Sequence, residues 1–283
     1  MGGGRADSAR EQFEREHEAR LPTNARGVVI GAETIRLPHT TGRAALLLHG
    51  FNDTPQSMSS LAPALHAAGW SVLVPRLPGH GVRLDIMVRE SRPSLWIAAV
   101  EEAYAALRAT HDTVVVAGLS MGGALAVLLQ RAHPEIPALV LLAPYLGMSL
   151  KLRAQLALVR ILGRDTTYRY GRGGERSIHD PVARRQALGP GVITVSTMRA
   201  LREIAFAAQA ALPALRAPVL YLQSREDNRI SVAQAERYFA AIGGDQKVLR
   251  WLTGCGHIIS NDYGREEVAQ QTIDWFNEHL RAR

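Results

Sequence analysis

At 283 residues the chain is long enough for one large α/β domain with an insertion, and its 47% hydrophobic and 21% charged residues are ordinary for a globular protein. Its single cysteine, Cys255, excludes an intramolecular disulfide framework and a cysteine-based metal cluster. The net charge of +7 arises wholly between Lys151 and Glu203, where 11 basic residues stand against 4 acidic ones, and no zinc-finger spacing or RNP-like aromatic run turns that charge into a nucleic-acid signature.

No stretch is long and apolar enough for a transmembrane helix, and the start lacks an apolar signal-peptide core, so a cytoplasmic location is expected. Only Lys151 and Lys247 among the basic residues are lysine, a bias that with the alanine richness suggests a bacterial gene. Residues 1–26 are polar and mixed in sign, with Ser8 placed to cap a short helix over Ala9–Arg20, and read as a surface arm. Gly27–Leu37 alternates well enough for one or two edge strands bent at Gly31. Ala44–His49 is a continuous apolar run that stops at Gly50, followed by a helix from about Thr54 or Pro55 to Gly69.

The next predicted strand is Trp70–Val74, ended by Pro75. A glycine-rich loop at Pro78–Gly81 then leads to a helix over Pro93–Thr110. Val114–Ala117 and Ala138–Ala143 read as buried strands, with Ala124–Gln130 a helix between them. From Leu146 to Leu212 this rhythm breaks: no apolar strand is expected, and Ser149–Leu162 has the pattern of a basic amphipathic helix ahead of a Gly/Arg-rich loop at Tyr170–Arg176. Strands at Pro218–Gln223 and Gln246–Leu252, with helices at Val232–Ile242 and Arg265–His279, complete the alternation. The expected fold class is α/β, a mostly parallel twisted sheet with helices on both faces.

Between the third of these parallel strands and its helix, Gly118, Leu119, Ser120, Met121 and Gly122 spell G-x-S-x-G, with Gly123 following. A serine in so sharp a strand-to-helix turn needs small neighbours two positions either side, and its hydroxyl then stands above the sheet edge at a helix N-terminus. A serine hydroxyl is a weak nucleophile until a base takes its proton and a third group orients that base. His257, among glycines after the last strand, is the candidate base. His179, beside Asp180 in the insertion, is the rival, while His49 and His80 read as structural. Glu226 and Asp227 both follow the strand ending at Gln223, and residue type alone leaves the choice between them open. Loops at the C-terminal ends of parallel strands converge, so these distant residues can meet. The backbone N–H groups of Phe51 and Met121 are the candidate donors for an oxyanion.

Leu46–Phe51 (LLLHGF), Gly79–Gly81 (GHG), Gly118–Gly123 (GLSMGG), Gln223–Asp227 (QSRED) and Gly254–Ile259 (GCGHII) occur in this order from about residue 44 to the end of the chain. In these pieces the chain resembles the α/β-hydrolase superfamily, in its carboxylesterase and monoacylglycerol lipase group. The resemblance implies that Ser120 is acylated, that His257 acts as base and then acid, and that Asp227, not Glu226, orients it. Ser224 departs from the glycine that many members have there. The resemblance further implies a core at 27–146 and 212–283 and a helical cap at 147–211.

The expected activity is hydrolysis of carboxylic esters with short to medium acyl chains, monoacylglycerols included, on a small-molecule substrate with no metal or organic cofactor. Thioester hydrolysis, carbon–carbon bond hydrolysis and perhydrolysis are alternatives on the same scaffold, and ligand binding without turnover is another. The basic insertion suits weak contact with an anionic membrane surface, although a solvated arginine-rich lid is the plainer reading.

Overall fold

The structure is a computed structural model that describes residues 3–148, 154, 168–171 and 177–281. Its chain begins with helix α1 (Gly3–Arg20) and edge strand β1 (Ile35–Leu37), followed by β2 (Arg43–Leu48), α2 (Leu61–Ala67), β3 (Ser71–Val74), α3 (Leu84–Glu90) and α4 (Pro93–Arg108). Then come β4 (Thr113–Leu119), α5 (Met121–Ala132), β5 (Leu139–Leu142), β6 (Arg169–Tyr170), α6 (Pro181–Gln186), β7 (Val192–Ile193) and α7 (Val195–Ala211). The chain closes with β8 (Val219–Ser224), α8 (Val232–Ala240), β9 (Lys247–Leu252) and α9 (Arg265–Arg281).

Seven strands form one sheet in the order β1-β3-β2-β4-β5-β8-β9, with β4 at its centre. Only β1 runs antiparallel to its neighbour; every other pairing is parallel, the outcome expected where strands alternate with crossover helices. Along β4 the side chains alternate between two apolar layers: Val114 and Val116 face α4, α5 and α7, while Val115, Ala117 and Leu119 face α2 and α9. Trp96 fills the first layer, and Trp70 with Phe276 the second, each fully buried and each contributing on the order of 2–3 kcal/mol of hydrophobic stabilisation.

Several expectations shift. Of Gly27–Leu37 only Ile35–Leu37 is a strand, because Gly27 and Gly31 adopt positive φ and leave Val28 and Val29 in isolated bridges. The loop after β3 contains the unforeseen α3. The N-terminal helix starts at Gly3 rather than Ala9 and is docked: Phe13 stacks on Tyr168 and packs at a tilt against Tyr170, with centroids 5.5 and 5.0 Å away, and His17 is buried. In the stretch where no strand was expected, β6 and β7 pair as a small antiparallel ribbon, two residues each and too short to show a period. The helix α7 packs Met198, Leu201, Ile204 and Ala208 into the same apolar layer as α5. The amphipathic helix expected over Ser149–Leu162 lies, apart from Ala154, outside the described residues, as does 172–176 of the Gly/Arg-rich loop.

Candidate active site

The central strand delivers Ser120 to the C-terminal edge of the sheet. Its φ of 54° and ψ of −114° are far from what a residue with a side chain prefers, and that turn is enforced by packing on every side. A Cβ on Gly118 would stand 2.2 Å from the carbonyl oxygen of Gly122, and one on Gly122 would stand 2.1 Å from that of Leu48. The glycines thus let α5 press against β2 and β4, and the strained serine is locked by the Ser120 N–H donating to Leu142 O at 2.9 Å.

Two loops from the other half of the sheet meet it. The Nε2 of His257 lies 2.9 Å from Ser120 Oγ, and its Nδ1 lies 2.7 Å from Asp227 Oδ2. All three side chains are buried, Asp227 completely. With Nδ1 donating to the carboxylate, Nε2 presents a lone pair to the hydroxyl, so the imidazole is set to take its proton. Burial opposes the charge of Asp227, but the attraction and hydrogen bond of His257 and the N–H groups of Arg229 and Ile230 outweigh it and hold its pKa below the ordinary carboxylate value. Those two N–H groups reach Asp227 Oδ1 at 2.6 and 3.0 Å, and Gln223 Nε2 donates to Oδ2 at 2.7 Å.

The rival residues are engaged elsewhere. Glu226 accepts the Gly254 N–H at 2.6 Å, and His179 donates through Nδ1 to Gly254 O at 3.2 Å, so both brace the loop that carries His257. Ser224, the departure from glycine, holds the same loop from below: its hydroxyl donates to Cys255 O at 2.5 Å and accepts the Glu226 N–H at 3.0 Å. His49 is fully buried, with Nδ1 donating to Gly50 O at 2.9 Å and Nε2 accepting the Leu77 N–H at 3.1 Å. His80 is buried against His49, Phe51 and Trp96. Burial drives both histidines toward the neutral form, His80 down to about 4.

The turn Gly50–Asp53 comes up beside the serine. The position of a Cβ on Gly50 is 3.4 Å from Ser120 Cβ and 3.5 Å from Asp53 Oδ2, ordinary van der Waals contact that packs this turn against the serine. The N–H of Phe51 follows in this turn, and that of Met121 begins α5. Asp53 was not foreseen: its Oδ2 is sealed from solvent without a hydrogen-bond partner, and burial pushes the carboxyl up to about 6. An acidic residue in a loop carries no sequence mark of such a setting. The insertion leans on this turn through Gln56, which donates to Gln186 O at 2.7 Å and accepts the Leu188 N–H at 3.0 Å. Among the described residues no cluster of three or more His, Cys, Asp or Glu side chains is arranged for a metal ion, and no helix is long and apolar enough to cross a membrane.

The model of the family described as Serine aminopeptidase, S33 matches residues 41–264. A thermostable monoacylglycerol lipase from Bacillus sp. (strain H-257) is 31% identical over 234 residues, which are 83% of this chain and 90% of that protein. Among solved structures, one from the metagenome-derived lipolytic enzymes LipS and LipT aligns with a TM-score of 0.80 at 30% identity, covering 89% of this chain and all of that one. The monoacylglycerol lipase of Paleococcus ferrophilus aligns with a TM-score of 0.74 at 20% identity, over 87% of this chain and 98% of that one, a likeness of fold.

Proposed function

The chain belongs to the Serine aminopeptidase, S33 family of α/β-hydrolases and is an ester hydrolase of the esterase and lipase kind; from that premise we propose that it cleaves carboxylic esters of short to medium acyl chain, monoacylglycerols included, through an acyl-enzyme on Ser120. The observation that carries this reading is the unbroken relay from Ser120 Oγ through both nitrogens of His257 to Asp227.

In the first half-reaction Ser120 Oγ attacks the ester carbonyl while His257 Nε2 takes its proton, and Asp227 stabilises the imidazolium that forms. The tetrahedral oxyanion is met by the N–H groups of Phe51 and Met121, main-chain donors held in place by the turn at Gly50 and the start of α5. His257 returns the proton to the leaving alcohol. Water then attacks the acyl-enzyme by the reverse route and releases the acid. Of the insertion expected at 147–211, the described residues 177–194 serve as the cap beside the site, a reading supported by the contacts of Gln56 with Gln186 and Leu188, whereas α7 packs in the core layer beside α5.

The test is Ser120→Ala assayed on nitrophenyl butyrate and on monoacylglycerols. Turnover falls by on the order of 10⁵-fold or more while the thermal midpoint stays within about 2 °C, and a fluorophosphonate probe labels the parent protein at Ser120 but not the variant. Turnover retained by the variant, or activity of the parent confined to amino-acyl anilides, overturns the proposal.

A further inference from the structure

Among the described carboxylates outside the relay, Asp262 is the most fully buried. Its carboxylate accepts from four backbone N–H groups. Oδ1 accepts from Asp180 N at 2.8 Å and Tyr263 N at 2.7 Å, and Oδ2 from His179 N at 2.8 Å and Gly256 N at 2.7 Å. A carboxylate is the side chain that can satisfy four donors at once, since it offers about four lone-pair directions and no hydrogen of its own.

Tyr263 is the next residue in the chain, and the other three donors come from two places that the sequence separates widely. Gly256 immediately precedes His257, whereas His179 and Asp180 lie at the start of α6, inside the insertion. Further bonds tie the same two pieces together: Ile258 N donates to Ser177 O at 2.9 Å, and Arg265, at the start of α9, bonds Asp180 Oδ2 at 2.9 Å. His257 itself has glycine on its N-terminal side and sits in a loop with no regular backbone pairing. Its ring direction therefore depends on what holds Gly256.

We propose that Asp262 is a positioning residue for His257: by gathering the N–H of Gly256 with those of His179 and Asp180, it fixes the loop of the base to the root of the insertion and aims the imidazole at Ser120. The effect acts through His257, because the hydrogen bonds of Asp262 run to its own loop and to the insertion. It also makes the aim of the base depend on how the insertion is seated. This inference rests on the reading of His257 as the base, so His257→Ala is measured in parallel; unchanged turnover in that variant removes the reading itself, whatever Asp262 does.

Asp262→Asn keeps the shape but turns an N–H₂ group toward two of the four donors. The expected result is a 10- to 100-fold fall in kcat on nitrophenyl butyrate, a KM within twofold, and a matching fall in the rate at which the fluorophosphonate labels Ser120, all measured well below the thermal midpoint of the variant. A lower midpoint with kcat and labelling rate unchanged means that Asp262 only stabilises the fold, and overturns the proposal. If Asp262→Asn does not fold, Arg265→Met decides, since it releases Asp180 from a partly exposed ion pair and leaves Asp262 in place. A two- to fivefold fall in kcat at constant KM sustains the link from insertion to base, and an unchanged kcat breaks it.

Discussion

Ser120 and His257 are held in place by different forces. The serine is set by contact: β4 and α5 are pressed so close to β2 that backbone atoms occupy the space where side chains would stand. The histidine is set by hydrogen bonds, with Asp227 holding the ring and Asp262, Glu226 and Ser224 holding the loop. Short-range repulsion rises steeply as atoms approach and allows almost no play. Hydrogen bonds tolerate a few tenths of an ångström and break one at a time. In the proposed mechanism, a nucleophile on a rigid support facing a base on a polar, adjustable one suits a cycle in which the imidazole serves first the serine and then a water.

The contrast is sharpest at the glycines. Gly122→Ala should be the most damaging, because its Cβ would lie 2.1 Å from Leu48 O and 2.5 Å from Leu48 C, atoms of a central strand that cannot retreat. We expect a loss of about 4 kcal/mol or more, or failure to accumulate folded protein, read as the urea midpoint and soluble yield. A variant as stable as the parent removes the steric account of the elbow.

Histidines packed beneath the Phe51 turn give an effect of intermediate size. Burial lowers the pKa of His80 in the folded state to about 4, below its unfolded value of 6.5, so the unfolded chain binds the extra proton between these limits. The contribution is therefore complete above pH 6.5 and is lost as pH falls, by roughly 1.4 kcal/mol per pH unit and about 3 kcal/mol by pH 4. In His80→Gln the slope of stability against pH over this window should drop by about one proton. An unchanged slope in denaturant titrations at pH 4.5, 5.5 and 6.5 shows that His80 does not titrate there.

The smallest effect belongs to the hydrogen-bonded side. Gly254 has φ +77°, yet a Cβ there would have no atom within 4 Å, so only the backbone preference resists substitution. Gly254→Ala should cost about 1–2 kcal/mol, and circular dichroism melts would reveal it. A cost equal to that at Gly122 abolishes the distinction between the two sides.

The difference also decides what can be read without coordinates. The elbow declares itself in one pentapeptide, because a steric rule acting within a few residues leaves a local mark: Gly118 and Gly122 flank Ser120 where backbone must approach backbone. The strands β2, β4, β5 and β8 are visible for a similar reason, as unbroken apolar runs that need burial on both faces. Ser120 and Asp227 each follow such a strand and His257 follows the edge strand β9, so their order and their common edge follow from the strand count.

What the chain alone could not reveal are arrangements whose partners lie far apart. The Arg169–Tyr170 and Val192–Ile193 ribbon is too short for any periodicity, and its register exists only once the two pieces meet. The docking of α1 turns on Phe13 meeting Tyr168 and Tyr170 from the insertion. Asp262 and Asp53 are two acids among 26 acidic residues, and nothing beside them in the chain marks one as the hub of four N–H groups and the other as having one carboxylate oxygen sealed without a partner. Rules of shape and periodicity operate over a few neighbouring residues and are written in the sequence, which therefore determined the α/β alternation, the elbow and the order of the polar residues. Satisfaction of buried polar groups operates across any separation, so only the tertiary structure decided that Asp262 gathers four N–H groups, that His49 and His80 are buried and where the insertion is anchored.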